Sequence, residues 1–587
     1  MKSLHTYWLI ALCLLSFSVT SQNLQKVHPS VWASMKEGKA DFFILLKNQA
    51  DISPAQFLET KEEKGTFVFN TLKRHAEQSQ ANLQSFLKTQ NVDFQSFWII
   101  NALFTKGDLS LIEKIAAREE VVGIINNPTS SQRLPTDDGS ISLSTRGVQK
   151  VAWGVEKIKA DSVWALGYRG QNVVVGGQDT GYDWEHPALK PKYRGWNSTT
   201  NKADHSYNWH DAIHTDTSKL GNPCGYDRKS PCDDHAHGTH TMGTMVGSND
   251  TLIVGVAPNA KWIAARNMDR GNGTLQTYVE CFQWFLAPTD TANKNPNPLK
   301  APHVMNNSWA CTAGEGCNST NFSVLEKALN ACRAAGIVVV VSAGNSGSEC
   351  SSVNEPPSFY SKAFSVGATR SDDTIAGFSS RGPVTIDSSG RLKPNISAPG
   401  VRVLSTVPGG SFQDNGWSGT SMAGPHVAGV VALMISANPK LAGKVDTIER
   451  MIELTAKPMT TTQNCGTVEG TKVPNHTYGF GRVDALAAVK KALLYKTTSI
   501  KSNDNQTFVK VYPNPFNAEI TLYTEGVLGE TFVEIFNANG QRVFSTKENF
   551  IEKNSLAISL KQVVSGFYFY KIGNGKTVLT GKILKRN

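Results

Sequence analysis

Val173-Val-Val-Gly-Gly-Gln-Asp179-Thr-Gly181 begins as a run of β-branched residues and ends on a carboxylate followed by a turn. The valines predict a short strand buried on both faces. The same texture returns in Lys261-Trp-Ile-Ala-Ala265, His303-Val-Met305, Ile337-Val-Val-Val-Val341 and Ala363-Phe-Ser-Val366. Between these runs lie helical patterns, Leu325 to Ala335 and Val427 to Ser436 among them. All-apolar strands alternating with helices predict an α/β fold whose parallel sheet carries helices on both faces. Catalytic and binding groups in open α/β sheets gather at the carboxyl ends of the strands, where Asp179 falls.

Outward from this core the texture changes twice. Residues 22–146 read as a small α+β unit and a linker. A strand is expected at Asp41–Leu46, a helix from Thr66 to Lys88, and a buried strand from Phe94 to Phe104. Asp108 starts an amphipathic helix, and Val121–Ile125 closes the unit as a strand. Asn126 to Arg146, with Pro128, Pro135 and Gly139, reads as an exposed linker open to proteolysis. Residues 147–495 hold the α/β pattern. From 508 to 587 period-two segments such as Thr531–Phe536 flank Asn539-Gly540, a strong hairpin signal, and predict a small all-β sandwich. No exposed aromatic stripe is apparent in it.

The 587 residues suffice for several domains, and 49 Gly with 25 Pro exclude a coiled coil without implying low complexity. The charge of +10 comes from scattered Lys and Arg, never a basic run, so neither nucleic acid nor a membrane surface is implied. Residues 1–21 have a short basic end, an apolar stretch from Trp8 to Phe17 and small residues at Val19 and Ser21, the build of a secretory signal peptide. That stretch is too short to span a membrane, and no later span is expected. Removing it leaves 9 − 1 = 8 cysteines in an oxidising compartment. Cys224 with Cys232 and Cys311 with Cys317 can close small loops. Cys281, Cys332, Cys350 and Cys465 can pair among themselves or stay as buried thiols.

Two further segments carry reactive side chains: Asp234-His-Ala-His237-Gly-Thr-His240, and Gly419-Thr-Ser421-Met-Ala-Gly-Pro425-His426 just before a helix. A serine hydroxyl is a poor nucleophile until a histidine removes its proton, and that histidine needs a carboxylate to hold its tautomer. Asp179, His237 and Ser421 supply the three in that order. Zinc on His235, His237 and His240 is the rival, but Gly238 stands where a His-Glu-x-x-His base would be.

Together with Ser342-Ala-Gly-Asn345, these motifs make residues 150 to 490 resemble the subtilisin-like serine proteases, whose triad runs Asp, His, Ser. Asn306-Asn-Ser-Trp309, the cysteines and Pro356-Pro357 resemble the bacillopeptidase F-like branch. The resemblance implies that Asp179 orients, His237 is base then acid, Ser421 attacks, and Asn345 donates to the oxyanion. It places Ser308, Trp309 and Ala310 on one wall of the primary specificity pocket and Ser342, Ala343 and Gly344 on the other. The family usually has Gly where Ala310 stands. Glu355, counted back from Phe364, falls at the pocket floor and would favour Lys or Arg, with Arg146-Gly147 a matching cut site in the linker. No cofactor is required, and no structural calcium can be assigned.

By the same resemblance, residues 22–146 are an inhibitory propeptide. Val511-Tyr-Pro-Asn-Pro515, Asn539–Val543, Ser565–Tyr568 and the basic end Lys582–Arg586 resemble a type IX secretion sorting domain. The expectation is a monomeric secreted zymogen, reaching the cell surface or medium via the periplasm. Its partners would be protein or peptide substrates, its own propeptide and the secretion machinery. A catalytically silent subtilase-fold binding protein, or an adhesin using the last module, are the alternatives.

Overall fold

The computed structural model describes residues 23–131, 136–137, 150–216, 221–311, 317–413, 415–495, 508–525, 529–550, 555–574 and 578–586. The signal peptide and Arg146-Gly147 lie outside the described residues. In the N-terminal part, β1 (Lys39–Leu46), β2 (Phe94–Phe97), β3 (Ala102–Asp108) and β4 (Val121–Asn126) form an antiparallel sheet in the order β2-β3-β1-β4. Helices α1 (Lys61–Ser79), α2 (Ala81–Thr89) and α3 (Leu109–Ala116) complete it. Thr60 and Glu63 cap α1 reciprocally, and Asp108 caps α3 by accepting from Leu111 N.

Two expectations are corrected here. The single helix over 66–88 begins earlier and breaks at Gln80, whose fully buried amide donates to Asn101 Oδ1 and accepts from Ser96 Oγ. The run from Phe94 to Phe104 is a hairpin, turned by Asn101 at φ 47°. Its apolar tip, Trp98-Ile99-Ile100, is buried against the central domain, which explains why the whole run is hydrophobic.

The exposed linker is also corrected in part: β5 (Thr129–Ser131) and β6 (Thr136–Asp137) are paired strands. The central domain follows with β7 (Val174–Asp179), β8 (Trp209–Asp211), α4 (His237–Val246), β9 (Lys261–Arg266), β10 (Asn272–Thr274), α5 (Leu275–Leu286), β11 (Val304–Asn307), α6 (Phe322–Ala334), β12 (Val338–Ser342), β13 (Phe364–Thr369), β14 (Ile396–Pro399), β15 (Trp417–Ser418) and α7 (Thr420–Ala437). Its main sheet has seven parallel strands in the order β8-β9-β7-β11-β12-β13-β14.

Strand β12 shows why the valine run was needed. Val338 and Val340 enter one core with α4 and α7, while Val339 and Val341 enter the other with α5 and α6. Helix α7 is long and apolar enough to cross a membrane, contrary to the sequence reading, but 89% of it is buried, as a core helix. The N-terminal unit sits on α5 and α6. Ile99 N donates to Gln283 Oε1 at 3.2 Å, Gln95 Nε2 to Glu280 Oε2 at 2.6 Å, and the buried Lys61 Nζ to Ala301 O at 3.0 Å. Disulfides join Cys224–Cys232, Cys311–Cys317 and Cys350–Cys465, and Cys281 and Cys332 are buried thiols.

The stretch Lys496–Asn587 is a separate compact unit. Strands β16 (Phe508–Tyr512), β17 (Glu519–Glu525), β18 (Glu530–Asn537), β19 (Arg542–Asn549), β20 (Ser555–Ser559), β21 (Gly566–Gly573) and β22 (Val578–Lys585) make two antiparallel sheets, β16-β17-β20 and β19-β18-β21-β22. Ile520, Leu522 and Ile558 of the first meet Val533, Ile535, Tyr568 and Ile583 of the second in one core. The outer face corrects the sequence reading: Phe567 and Phe569 are exposed, and Lys582 Nζ stands 4.4 Å over the Phe567 ring.

Candidate active site

Asp179 is the last residue of β7, central in the sheet, and is buried. After it the chain turns at Gly181, with φ 116°, where an added Cβ would lie 1.9 Å from Cys232 O. Gly238 comes as close from the other side, its Cβ position 2.0 Å from Gly181 O. The two glycines let the start of α4 press against the end of β7. His237 is the first residue of α4, and its Nδ1 lies 2.7 Å from Asp179 Oδ1, with both groups buried. Asp233 fixes that helix end. Its carboxylate accepts from the backbone N–H of His235, Ala236 and Thr239 and from the hydroxyls of Thr180 and Thr239. Burial nevertheless raises its pKa.

The two neighbouring histidines are held differently. His240 stacks on Trp417 at 4.6 Å, and its Nε2 donates to Val403 O. Burial, with His237 nearby, holds its pKa at about 3 and that of His235 at about 4, so both are neutral. The carbonyl of Val403 thus occupies the His240 Nε2 that a zinc ion would need. Among the described residues no group of three or more His, Cys, Asp or Glu is arranged to hold a metal ion.

Ser421 is the second residue of α7. Its Oγ donates to Ser308 O at 3.2 Å, while Ser308 Oγ donates to Ser421 O at 2.9 Å. Pro425 lies within the first two turns of that helix. Asn345, in the loop after β12, is gripped by its side-chain oxygen, which accepts from Thr420 N at 2.9 Å and Thr420 Oγ1 at 2.8 Å. The amide nitrogen is thereby turned the other way. A Cβ placed on Gly419 would lie 3.6 Å from Asn345 Nδ2 and 3.7 Å from Ser421 N, so the two donors converge beside Gly419. A carbonyl oxygen gaining negative charge there would receive both hydrogen bonds. The sequence reading missed Thr420; its signal was only the Gly-Thr-Ser spelling.

Ser342 ends β12, and Ala343 and Gly344 follow it. Gly344 has φ 104°, and its Cβ position would be 3.9 Å from Glu355 Oε2. Glu355 Oε1 accepts from Ser346 Oγ at 3.4 Å, and Cys311 N donates to Pro356 O, which ties the segment after Ala310 to that of Glu355. The structure thus brings Gly344 and Glu355 together. Trp309 differs in one respect: its ring is buried and stacks on Tyr278 at 3.9 Å.

Two further short strands were not legible in the sequence. Strand β10 pairs antiparallel with β5, Gly273 opposite Ser130. Strand β15, three residues before Ser421, pairs antiparallel with β6, Ser418 opposite Thr136.

Residues 170–481 match the subtilase family (Peptidase_S8), and residues 510–586 match the secretion system C-terminal sorting domain. Bacillopeptidase F of Bacillus subtilis (strain 168) is 38% identical over 449 residues, covering 73% of this chain and 29% of that protein. Subtilisin E of the same strain is 32% identical over 294 residues, 50% of this chain and 62% of that protein. Subtilisin DY of Bacillus licheniformis is 34% identical over 297 residues, 50% of this chain and 88% of that protein. The chain therefore spans less than two thirds of the first two relatives and most of the third.

Proposed function

The chain belongs to the subtilase family, and from that membership we propose that it is a serine endopeptidase, made as a zymogen and secreted. The observation that carries the reading is the buried 2.7 Å contact of Asp179 and His237, joined to the convergence of Asn345 Nδ2 and Ser421 N beside the serine.

With Nδ1–H donating to Asp179, the Nε2 of His237 keeps its lone pair. It takes the Ser421 proton as Oγ attacks the peptide carbonyl carbon. The carbonyl oxygen becomes an oxyanion and accepts from Asn345 Nδ2 and Ser421 N. These bonds strengthen only as charge develops, which lowers the barrier. The C–N bond then breaks, His237 passes the proton to the leaving amine, and an ester on Ser421 remains. Water activated by His237 hydrolyses that acyl-enzyme. Every group needed comes from the protein, and no cofactor is invoked. The walls would be Ser308, Trp309 and Ala310 against Ser342, Ala343 and Gly344. Glu355 would bind a Lys or Arg side chain on the acyl side of the cut bond by charge-assisted hydrogen bonding.

The zymogen reading rests on two strand pairings. Strand β5 pairs with β10, and β6 with β15, which ends three residues before Ser421. We take Arg146-Gly147 to be the cut site that frees the mature chain. Export by a type IX pathway, after the signal peptide delivers the chain to the periplasm, is supported by the match over 510–586.

Fluorophosphonate labelling tests the proposal. Wild type is expected to take up one label, on Ser421, and to lose peptidase activity with it. An unlabelled protein, or one whose peptidase activity survives full labelling, would exclude the serine mechanism.

A further inference from the structure

The segment from Asn345 to Glu355 joins the proposed oxyanion donor to the proposed substrate-binding carboxylate, and it contains neither helix nor strand. Conformational entropy opposes any single shape of such a stretch, so other parts of the chain must hold it. At its start Asn345 is gripped by Thr420. In its middle one carbonyl, Ser348 O, accepts from two side chains, Arg381 Nη1 at 2.8 Å and Gln463 Nε2 at 2.8 Å. Arg381 is buried, and its Nη1 also donates to Gln463 Oε1, which locks the two donors together. The Arg381 backbone takes the next stretch: its N donates to Ser352 Oγ at 2.9 Å, and its O accepts from Val353 N at 3.1 Å. Two residues after Ser348 comes Cys350, two after Gln463 comes Cys465, and these form a disulfide across 115 residues. The stretch 463–465 therefore holds the loop twice, by an amide and by a covalent bond.

We propose that the Cys350–Cys465 disulfide, Gln463 and Arg381 are positioning groups for substrate recognition, fixing the loop so that the Glu355 carboxylate stays beside Gly344. This rests on the reading of Glu355 as the group that receives a Lys or Arg side chain. A charge-assisted hydrogen bond is short, about 2.7–2.9 Å, and directional, so it is lost when its acceptor is free to swing into water. Asn345 keeps the grip of Thr420 whatever the loop does, and Asp179, His237 and Ser421 stand on the sheet and its helices. Releasing the loop should therefore cost discrimination between substrates and spare the chemical step. The stretch 463–465, which contributes nothing to the triad, thus takes part in choosing the substrate.

The test compares peptides with Arg, Phe or Ala before the cut bond. The processed enzyme is used as wild type, as Cys350→Ser/Cys465→Ser and as Gln463→Ala, each with and without Glu355→Gln. In both loop variants the Arg-to-Phe ratio of kcat/KM should fall at least about threefold, and at most by the roughly thirtyfold that the carboxylate charge can supply. The kcat for the Ala peptide, counted per fluorophosphonate-titrated site, should stay within about twofold of wild type. Once Glu355→Gln is present, breaking the bridge should leave the ratio where it is, because the two changes act through one contact. Each ratio is taken within one preparation, so a lower folded fraction cancels. If the double serine variant does not fold, Gln463→Ala decides the matter. A ratio that Glu355→Gln moves and neither loop variant moves would overturn the inference alone, and so would a fall of equal size with and without the carboxylate. A ratio unmoved by Glu355→Gln itself would instead sink the reading of Glu355, and this inference with it.

Discussion

Glu355→Gln isolates a single charge. The substitution keeps the shape of the side chain and an oxygen able to accept from Ser346 Oγ, which lies 3.4 Å away, and removes only the carboxylate's ionisation. Against a substrate guanidinium or ammonium, a hydrogen bond to a charged group contributes about 1.5–3 kcal/mol net, and one between neutral groups about 0.5–1.5. The difference, about 1–2 kcal/mol, converts to roughly 5–30-fold at 1.4 kcal/mol per decade. Opposite unit charges about 4 Å apart at an effective dielectric near 20 interact by about 4 kcal/mol, so a change above roughly 10³-fold would need another cause. Glu355 is only half-buried, so salt should weaken the effect further. The assay compares kcat/KM for paired peptides with Arg or Phe before the cut bond, in wild type and Glu355→Gln, at low and high ionic strength. The Arg-to-Phe ratio should fall by roughly 5–30-fold in the variant, and by less at high salt. Preference for Phe in both proteins, or an Arg-to-Phe ratio indifferent to the substitution, would show that Glu355 does not read the substrate.

Ser421→Ala should lose on the order of 10⁶-fold in turnover, because triad members act as a unit. It should also keep its N-terminal unit attached; a mature-sized product from pure variant would show that processing is done by another protease. Asn345→Ala should cost about 10²–10³-fold in kcat with little change in KM, the magnitude such a donor carries in subtilisin; a loss confined to KM would mean the amide binds substrate rather than the oxyanion. Lys61 is buried against Ala301 O, and burial holds its pKa at about 8, below the usual 10.5. The docked amine therefore binds its proton less tightly than the unfolded one, so its cost is full below pH 8 and fades by pH 10.5. In the uncleaved Ser421→Ala chain, Lys61→Met should accordingly raise Tm at pH 7, and the gain should shrink as pH rises through that window; a gap that does not vary with pH would contradict this. Deleting residues 508–587 should leave peptidase activity in the cell extract and remove it from the medium; an equal loss of specific activity in both would mean the module belongs to the catalytic fold.

What the amino-acid sequence determined by itself was local or periodic. The valine run of β12 announced a strand buried on both faces because no polar residue interrupts it. Asp179, His237 and Ser421 could be proposed because each sits at a strand end or helix start whose glycines and small residues are spelled out beside it. The Cys224–Cys232 and Cys311–Cys317 pairings followed from short loops. Other features depended on partners far along the chain. The apolar run from Phe94 to Phe104 reads as one strand until its tip is seen to be buried on the central domain. The polar run after Asn126 looks like open linker, since nothing in Thr129–Ser131 says that β10 waits more than a hundred residues later to accept its backbone. The grip of Thr420 on Asn345 joins residues 75 apart, and the stacked rings of Tyr278 and Trp309 come from different elements. Periodicity reports which side of an element is dry. Which groups meet across the dry side is settled only when the elements pack, and the hydrogen bonds and stacked rings that shape this cleft form at that stage.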